Sequence, residues 1–204
     1  MPTQAGNDGT ILSLDQAKSD LEINHSRADD FIGDMIQQAE SLLEQYTGTP
    51  ISSETFTEKY DGGKKILFLE QSPIDDTSVT ITDTQGTEDT ADDEEVESKY
   101  YRIRAEEGEI VRTSSLGRKK EWAPGINRFE VEYDAGLDLH PDWARTVEHT
   151  LRRSLAQLIV VWYENRDPDR SSEQLGAGFG NRYKLDDVPE RILSTWIQYS
   201  NSIW

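Results

Sequence analysis

The sequence predicts an α+β protein: a pair of helices, then a run of strands, then one long helix. Three observations carry this prediction. Apolar residues recur at helical spacing over about residues 27–46. They alternate at period two in short runs between 54 and 133. Helical spacing then returns after Pro141 and holds to about Asn165.

Residues 1–12 read as a flexible arm, because Gly6, Asn7, Asp8 and Gly9 favour turns. Ser13 and Gln16 have the spacing of a capping box. The short helix they open sets Leu14, Ala17 and Leu21 on one face, and residues 24–26 break it. Ser26 with Asp29 is read as the start of the second helix. On it Phe31, Ile32, Met35, Ile36, Ala39, Leu42, Leu43 and Tyr46 share a face, and Glu40 and Glu44 sit off that face. Gly48 and Pro50 end it, so the helix pair occupies 13–50.

Residues 51–136 form the β region. Thr55 to Tyr60 alternates, Asp61-Gly62 reads as a hairpin turn, and Ile66 to Leu69 reads as the returning strand. Val79 to Thr82 alternates again. Residues 83–97 hold eight acids and no base, which predicts a solvated loop. Lys99 to Arg104 and Glu109 to Thr113 predict a second hairpin about Glu107-Gly108. Arg128 to Tyr133 is the last strand, alternating Phe129, Val131 and Tyr133.

The segment 137–165 carries the long helix, roughly 35 Å at 1.5 Å per residue, with Pro141 in its first turn. Trp143, Val147, Leu151, Leu155, Leu158 and Trp162 form its stripe. With Phe31, Ile32, Met35, Leu42 and Leu43 of the second helix they are the expected bundle core. Residues 166–188 are Gly- and Ser-rich and read as a linker, and 189–204 as a terminal helix and tail.

Forty acids stand against 21 bases, a formal charge of −19, and Arg outnumbers Lys 13 to 8. Such a surface repels nucleic acid in bulk. The acids run along the whole chain, which favours adaptation to concentrated salt over a single acidic loop. Cysteine is absent, excluding disulfides and thiolate metal sites. No secretory pattern opens the chain. The longest near-apolar stretch, Leu155 to Tyr163, is far short of the ~20 residues of a membrane span, so a soluble protein or soluble assembly is expected.

Candidate chemistry is sparse. Asp92, Asp93, Glu94 and Glu95 offer hard oxygen ligands, but without the spacing and turn glycine of a calcium loop. His25, His140 and His149 have no nucleophile or orienting acid beside them in any recognisable pattern. Gly176 to Gly180 lacks the strand before it and the Lys-Ser/Thr after it that a phosphate loop needs. No metal, cofactor or catalytic site is therefore expected. An enzyme or metal-binding protein using the acidic loop is the alternative of another class. Trp196, Tyr199, Ile203 and Trp204 are candidates for burial against a partner or against their own subunit. Arg118, Lys119 and Lys120, with Arg152 and Arg153, are candidates for salt bridges to a neighbouring acidic subunit.

Several segments occur in a telling order. They are Leu12-Ser13-Leu14-Asp15-Gln16-Ala17-Lys18, the 13–46 helix pair, Tyr60-Asp61-Gly62, Leu67-Phe68-Leu69 with Pro73-Ile74, Val131-Glu132-Tyr133-Asp134-Ala135-Gly136, and the helix after Pro141. Together, over most of 12–165, they resemble the head-tail connector (adaptor) proteins of tailed viruses. The resemblance implies a helical bundle with a small antiparallel β domain inserted between helices 2 and 3, and an extended C-terminal tail. It implies a structural protein of the virion neck, assembled in the host cytoplasm. Such a protein forms a ring, commonly dodecameric, docks on the portal protein, contacts neck and tail proteins, and lets viral double-stranded DNA pass non-specifically. It favours portal docking for the Trp-bearing tail. A neck stopper or tail-completion protein is the alternative within the same class. The acidic stretch 83–97 and Trp204 have no counterpart in the resemblance.

Overall fold

The computed structural model describes residues 11–86, 93–165 and 183–200. The chain is α+β, with four α-helices and two small antiparallel sheets among these residues. It divides into two compact units. One comprises residues 1–51 and 142–204, and the other is the intervening stretch 52–141.

The helical unit is built from α1 (Leu14–Asp20), α2 (Asp29–Thr47), α3 (Glu148–Glu164) and α4 (Glu190–Trp196). The Ser13–Gln16 capping box forms in both directions, satisfying two backbone N–H groups that the first turn leaves over. The second expected cap does not form. Ala28 occupies the N-cap of α2 without a side-chain bond, and Asp29 instead accepts from the Lys18 ammonium at 2.6 Å. A half-buried ion pair thus ties the start of α2 to α1, and Ser26 is left outside the helix. Gly48, at φ +73°, ends α2 by donating its N–H to the Glu44 carbonyl, the left-handed cap that glycine adopts without steric cost.

The α2 acids depart from expectation. Glu40 is buried, and its Oε1 accepts the backbone N–H groups of Ile11 (2.8 Å) and Leu12 (3.2 Å). Glu44 accepts the N–H of Ile51 at 2.9 Å. Each carboxylate satisfies the backbone of a segment running past α2, a charge-assisted bond stronger than a neutral one. Helix α3 begins with a π turn, Trp143–Val147, before regular α geometry.

The core of this unit lies between α2 and α3. Ile32, Met35, Ile36, Ala39, Leu42 and Leu43 are buried on α2, and Val147, Leu151, Leu155, Leu158, Ile159 and Trp162 on α3 and its first turn. Phe31 and Trp143 are only half-buried. Phe31 stands 6.3 Å from the Tyr163 ring, and Tyr183 stacks on Trp162 at 4.1 Å.

The second unit holds a four-stranded sheet, in the order β1 (Glu54–Tyr60), β7 (Phe129–Ala135), β3 (Thr80–Asp83), β4 (Glu94–Glu95). Beside it is a three-stranded sheet of β2 (Ile66–Phe68), β6 (Glu109–Arg112) and β5 (Tyr101–Arg104). Period-two alternation on β7 turns Phe129, Val131, Tyr133 and Ala135 into a core with Leu67, Ile81, Ile110 and Trp122. The β5–β6 hairpin turns at Gly108, φ +62°.

The expected Asp61-Gly62 hairpin does not exist. Strand β1 pairs along all seven residues with β7, and β2 pairs with β6 in the other sheet. Gly62 donates to the Gly125 carbonyl at 2.8 Å, and Gly63 to that of Trp122 at 2.9 Å. A Cβ on Gly62 would lie 1.6 Å from the Ala123 carbonyl oxygen. The glycine is there for close approach of two backbones as the chain crosses between sheets, and Asp61 accepts the N–H of Asn127 at 2.8 Å. The acidic run 83–97 also differs at its ends. Asp83 belongs to β3 and holds the Arg128 guanidinium through both oxygens, at 2.8 and 2.9 Å. Glu94 and Glu95 pair with Asp83 and Thr82 as strand β4. Residues 87–92 lie outside the described residues.

Candidate functional site

Helix α4 fixes the C-terminal segment to its own unit. Trp196 is fully buried, with its ring 6.0 Å from that of Tyr46. Its indole N–H donates to the hydroxyl of Ser154 on α3 at 2.8 Å, and that hydroxyl donates in turn to the Leu151 carbonyl at 2.7 Å. The expectation that Trp196 faces a partner is therefore corrected. An indole is large, apolar and carries one donor, and α3 offers both a hollow and an acceptor. The next residue, Ile197, is 59% exposed, and Tyr199 is half-buried. Ile197 reads from sequence as one of the apolar residues of the terminal helix but not as a docking candidate, although it is the exposed one beside Trp196. Ile203 and Trp204 lie outside the described residues, as do the Gly176 to Gly180 segment and most of the expected linker.

Along α3 runs an open cleft of about 750 Å³, closed on its sides by α1 and α4. Leu12, Ala156, Val160 and Val161 give it an apolar floor. Around them stand His149, Arg152, Arg153 and Arg191, with Asp20 and Glu164 as its acids. Arg152 is engaged within the subunit: it pairs with Glu148, one turn back, and donates to the Ile11 carbonyl at 3.3 Å. Arg153 and Arg191 are exposed.

In the β unit, Arg118, Lys119 and Lys120 are all exposed beside a tight loop. The loop closes by the Ser114 N–H on the Arg118 carbonyl at 2.8 Å, with Gly117 at φ +74°. Leu116, at its tip, is 82% exposed. Phe68 and Ile126 are the other large exposed apolar side chains of this unit.

Its most perturbed ionisable group is the Tyr133 hydroxyl, which is bonded to Glu58. The Glu58 carboxylate accepts hydroxyl protons from both Tyr60 and Tyr133, and the Glu70 N–H at 3.2 Å. Burial raises the Glu58 carboxyl above its ordinary range, while the Tyr133 and Glu70 bonds oppose the rise. Burial, and then the bond to Glu58, push the Tyr133 hydroxyl well above the usual phenol. This arrangement pins β1 to β7 across Phe56↔Tyr133 and Glu58↔Val131.

His25 and His149 are exposed. Among the described residues, no group of three or more His, Asp or Glu is placed to hold a metal ion. No helix among them is long and apolar enough to cross a membrane.

Comparison with known proteins gives a consistent picture. The sequence pattern of the family described as "Phage gp6-like head-tail connector protein" matches residues 11–114, just over half of the 204. No protein of curated function matches the sequence. Among solved structures, a chain from the neck of an empty gene transfer agent particle, computed with C6 symmetry, is similar at TM-score 0.55 and 15% identity, with 94% of this chain and 90% of that chain covered. A chain from the virion of a native gene transfer agent particle is similar at TM-score 0.52 and 16% identity, with the same coverage.

Proposed function

Because this chain belongs to the phage gp6-like head-tail connector family, we propose that it is a non-catalytic adaptor subunit of a virion neck, forming a closed ring between the portal and the tail components. The family match carries this reading. The likeness of fold over 94% of the chain to a protein of a particle neck supports it. Twelve copies is the number we take, and it is compatible with the sixfold symmetry of that neck.

The mechanism is assembly. A repeated head-to-tail contact closes a ring when its rotation divides a full turn. The helical unit, with its continuous α2–α3 core, supplies a rigid block. The C-terminal segment, from exposed Ile197 onward to Ile203 and Trp204, is the part that grips the portal. Exposed Leu116 beside Arg118, Lys119 and Lys120 gives the β unit a contact for an acidic neighbour or neck protein. A net charge of −19 per copy keeps passing DNA from adhering to the channel wall, and suits a salt-rich setting.

Imaging of the purified protein, alone and mixed with its portal, tests the proposal. Rings that cap the portal are expected. A protein that stays monomeric across salt concentrations and ignores the portal sinks the reading.

A further inference from the structure

Among the described residues Arg153 and Arg191 make no ion pair. Both side chains border the α3 cleft, whose floor is apolar and half-buried. The cleft also carries Asp20 and Glu164, so the exposed Arg153 and Arg191 are the part of its rim that suits a helix carrying carboxylates at one-turn spacing.

The same unit displays such a helix. Asp30, Asp34, Gln37, Ser41 and Gln45 are exposed along one outward stripe of α2. Their spacing of three and four residues keeps them on one face. The stripe covers 16 residues, as does the cleft wall from His149 to Glu164, so each is about 24 Å long. No α2 residue lines the cleft, so trough and stripe are different surfaces of one unit. Burial and then the charge of Asp30 raise the Asp34 carboxyl above its ordinary value, a pair that an arriving cation relieves.

We propose that the α3 cleft receives the outward stripe of α2 from a second copy, with Asp30 and Asp34 against Arg153 and Arg191. The contact joins unlike surfaces, so it is of the head-to-tail kind that closes rings. It rests on the ring reading and names the surfaces that make it.

The test uses the full chain in three forms: R153E/R191E, D30K/D34K, and all four changes together. Sedimentation is read at a salt concentration where the unchanged protein forms rings, and circular dichroism checks folding. Each reversed pair is expected to weaken association at least tenfold, and the fourfold variant to regain most of it. Either pair assembling normally overturns the proposal, as does a fourfold variant that stays dissociated. Rings indifferent to all these changes remove this contact and leave the ring reading intact. An unchanged protein that never oligomerises removes both.

A second measurement covers variants that fold poorly. The chain has no cysteine, so Asp34→Cys with Arg153→Cys in one chain leaves only those thiols for a short bismaleimide. A covalent ladder of oligomers is expected, and monomer alone overturns the contact.

Discussion

The indole N–H of Trp196 donates to the hydroxyl of Ser154 at 2.8 Å, inside the helical unit. The bond joins the last regular helix to α3 across 42 residues of sequence. It lets a polar side chain, 5% exposed, sit in an otherwise apolar core, because donor and acceptor satisfy each other. Truncating Trp196 to Ala should cost about 3–5 kcal/mol through the cavity it leaves. Ser154→Ala should cost less, about 1–3 kcal/mol, because it strands one buried donor without removing volume. Denaturant unfolding of both variants measures the difference. Near-equal values would mean that the cavity collapses and the indole finds another partner.

Gly62 supplies a second prediction. A Cβ there meets backbone, the Ala123 carbonyl oxygen at 1.6 Å, which cannot swing aside as a side-chain tip can. Gly62→Ala should therefore destabilise by about 3 kcal/mol or more. Gly63, next to it, has open space but φ +82°. Gly63→Ala should cost only the left-handed backbone penalty, about 1–2 kcal/mol. Thermal melts that rank the two the other way would show that the Gly62–Ala123 approach relaxes readily.

These two sites mark where the sequence was legible and where it was not. Local signals read well. The Ser13–Gln16 box, the α2 and α3 stripes and the Gly108 hairpin each depend on neighbours a few residues away. Strand partners did not read. Asp61-Gly62 satisfies the chemistry of a turn and of a close backbone crossing equally, and only the 62–125 contact decides between them. Glu40 reads only as lying off the apolar face of α2, because the Ile11 and Leu12 N–H groups that hold it buried are not visible in local sequence. For the same reason Trp196 looked available for a partner, since its acceptor lies 42 residues upstream. The family itself was legible, and the resembling segments from Leu12 to Ile74 fall within the matched residues 11–114.

Assembly should depend on salt in a particular direction. Copies carrying −19 each repel one another over a Debye length, about 10 Å at 0.1 M and 30 Å at 0.01 M. Close pairs in a partly buried contact are screened far less. Rings should therefore weaken on desalting, even though the proposed contact is itself ionic. Sedimentation across a salt series checks this. Rings that tighten at low salt would mean that local attraction outweighs the repulsion of whole subunits.

Glu58 predicts a pH dependence in the β unit. Its carboxyl is raised in the folded chain, with burial as the larger cause and the Tyr133 bond opposing it. The fold thus favours the protonated form. The stabilising contribution is fully present below the ordinary carboxylate value and is lost as pH rises through the raised one. Above that raised value the side chain is charged in a site that prefers it neutral. Glu58→Gln keeps an acceptor for one tyrosine and removes the charge, so it should melt higher than the unchanged protein at pH 7. The gap should narrow as pH falls through the carboxylate range, where Glu58 takes up its own proton. Paired melting curves from pH 4 to 8 measure it. A Gln variant that melts lower at pH 7 would show that the hydroxyls of Tyr60 and Tyr133 stabilise the carboxylate by more than burial penalises it.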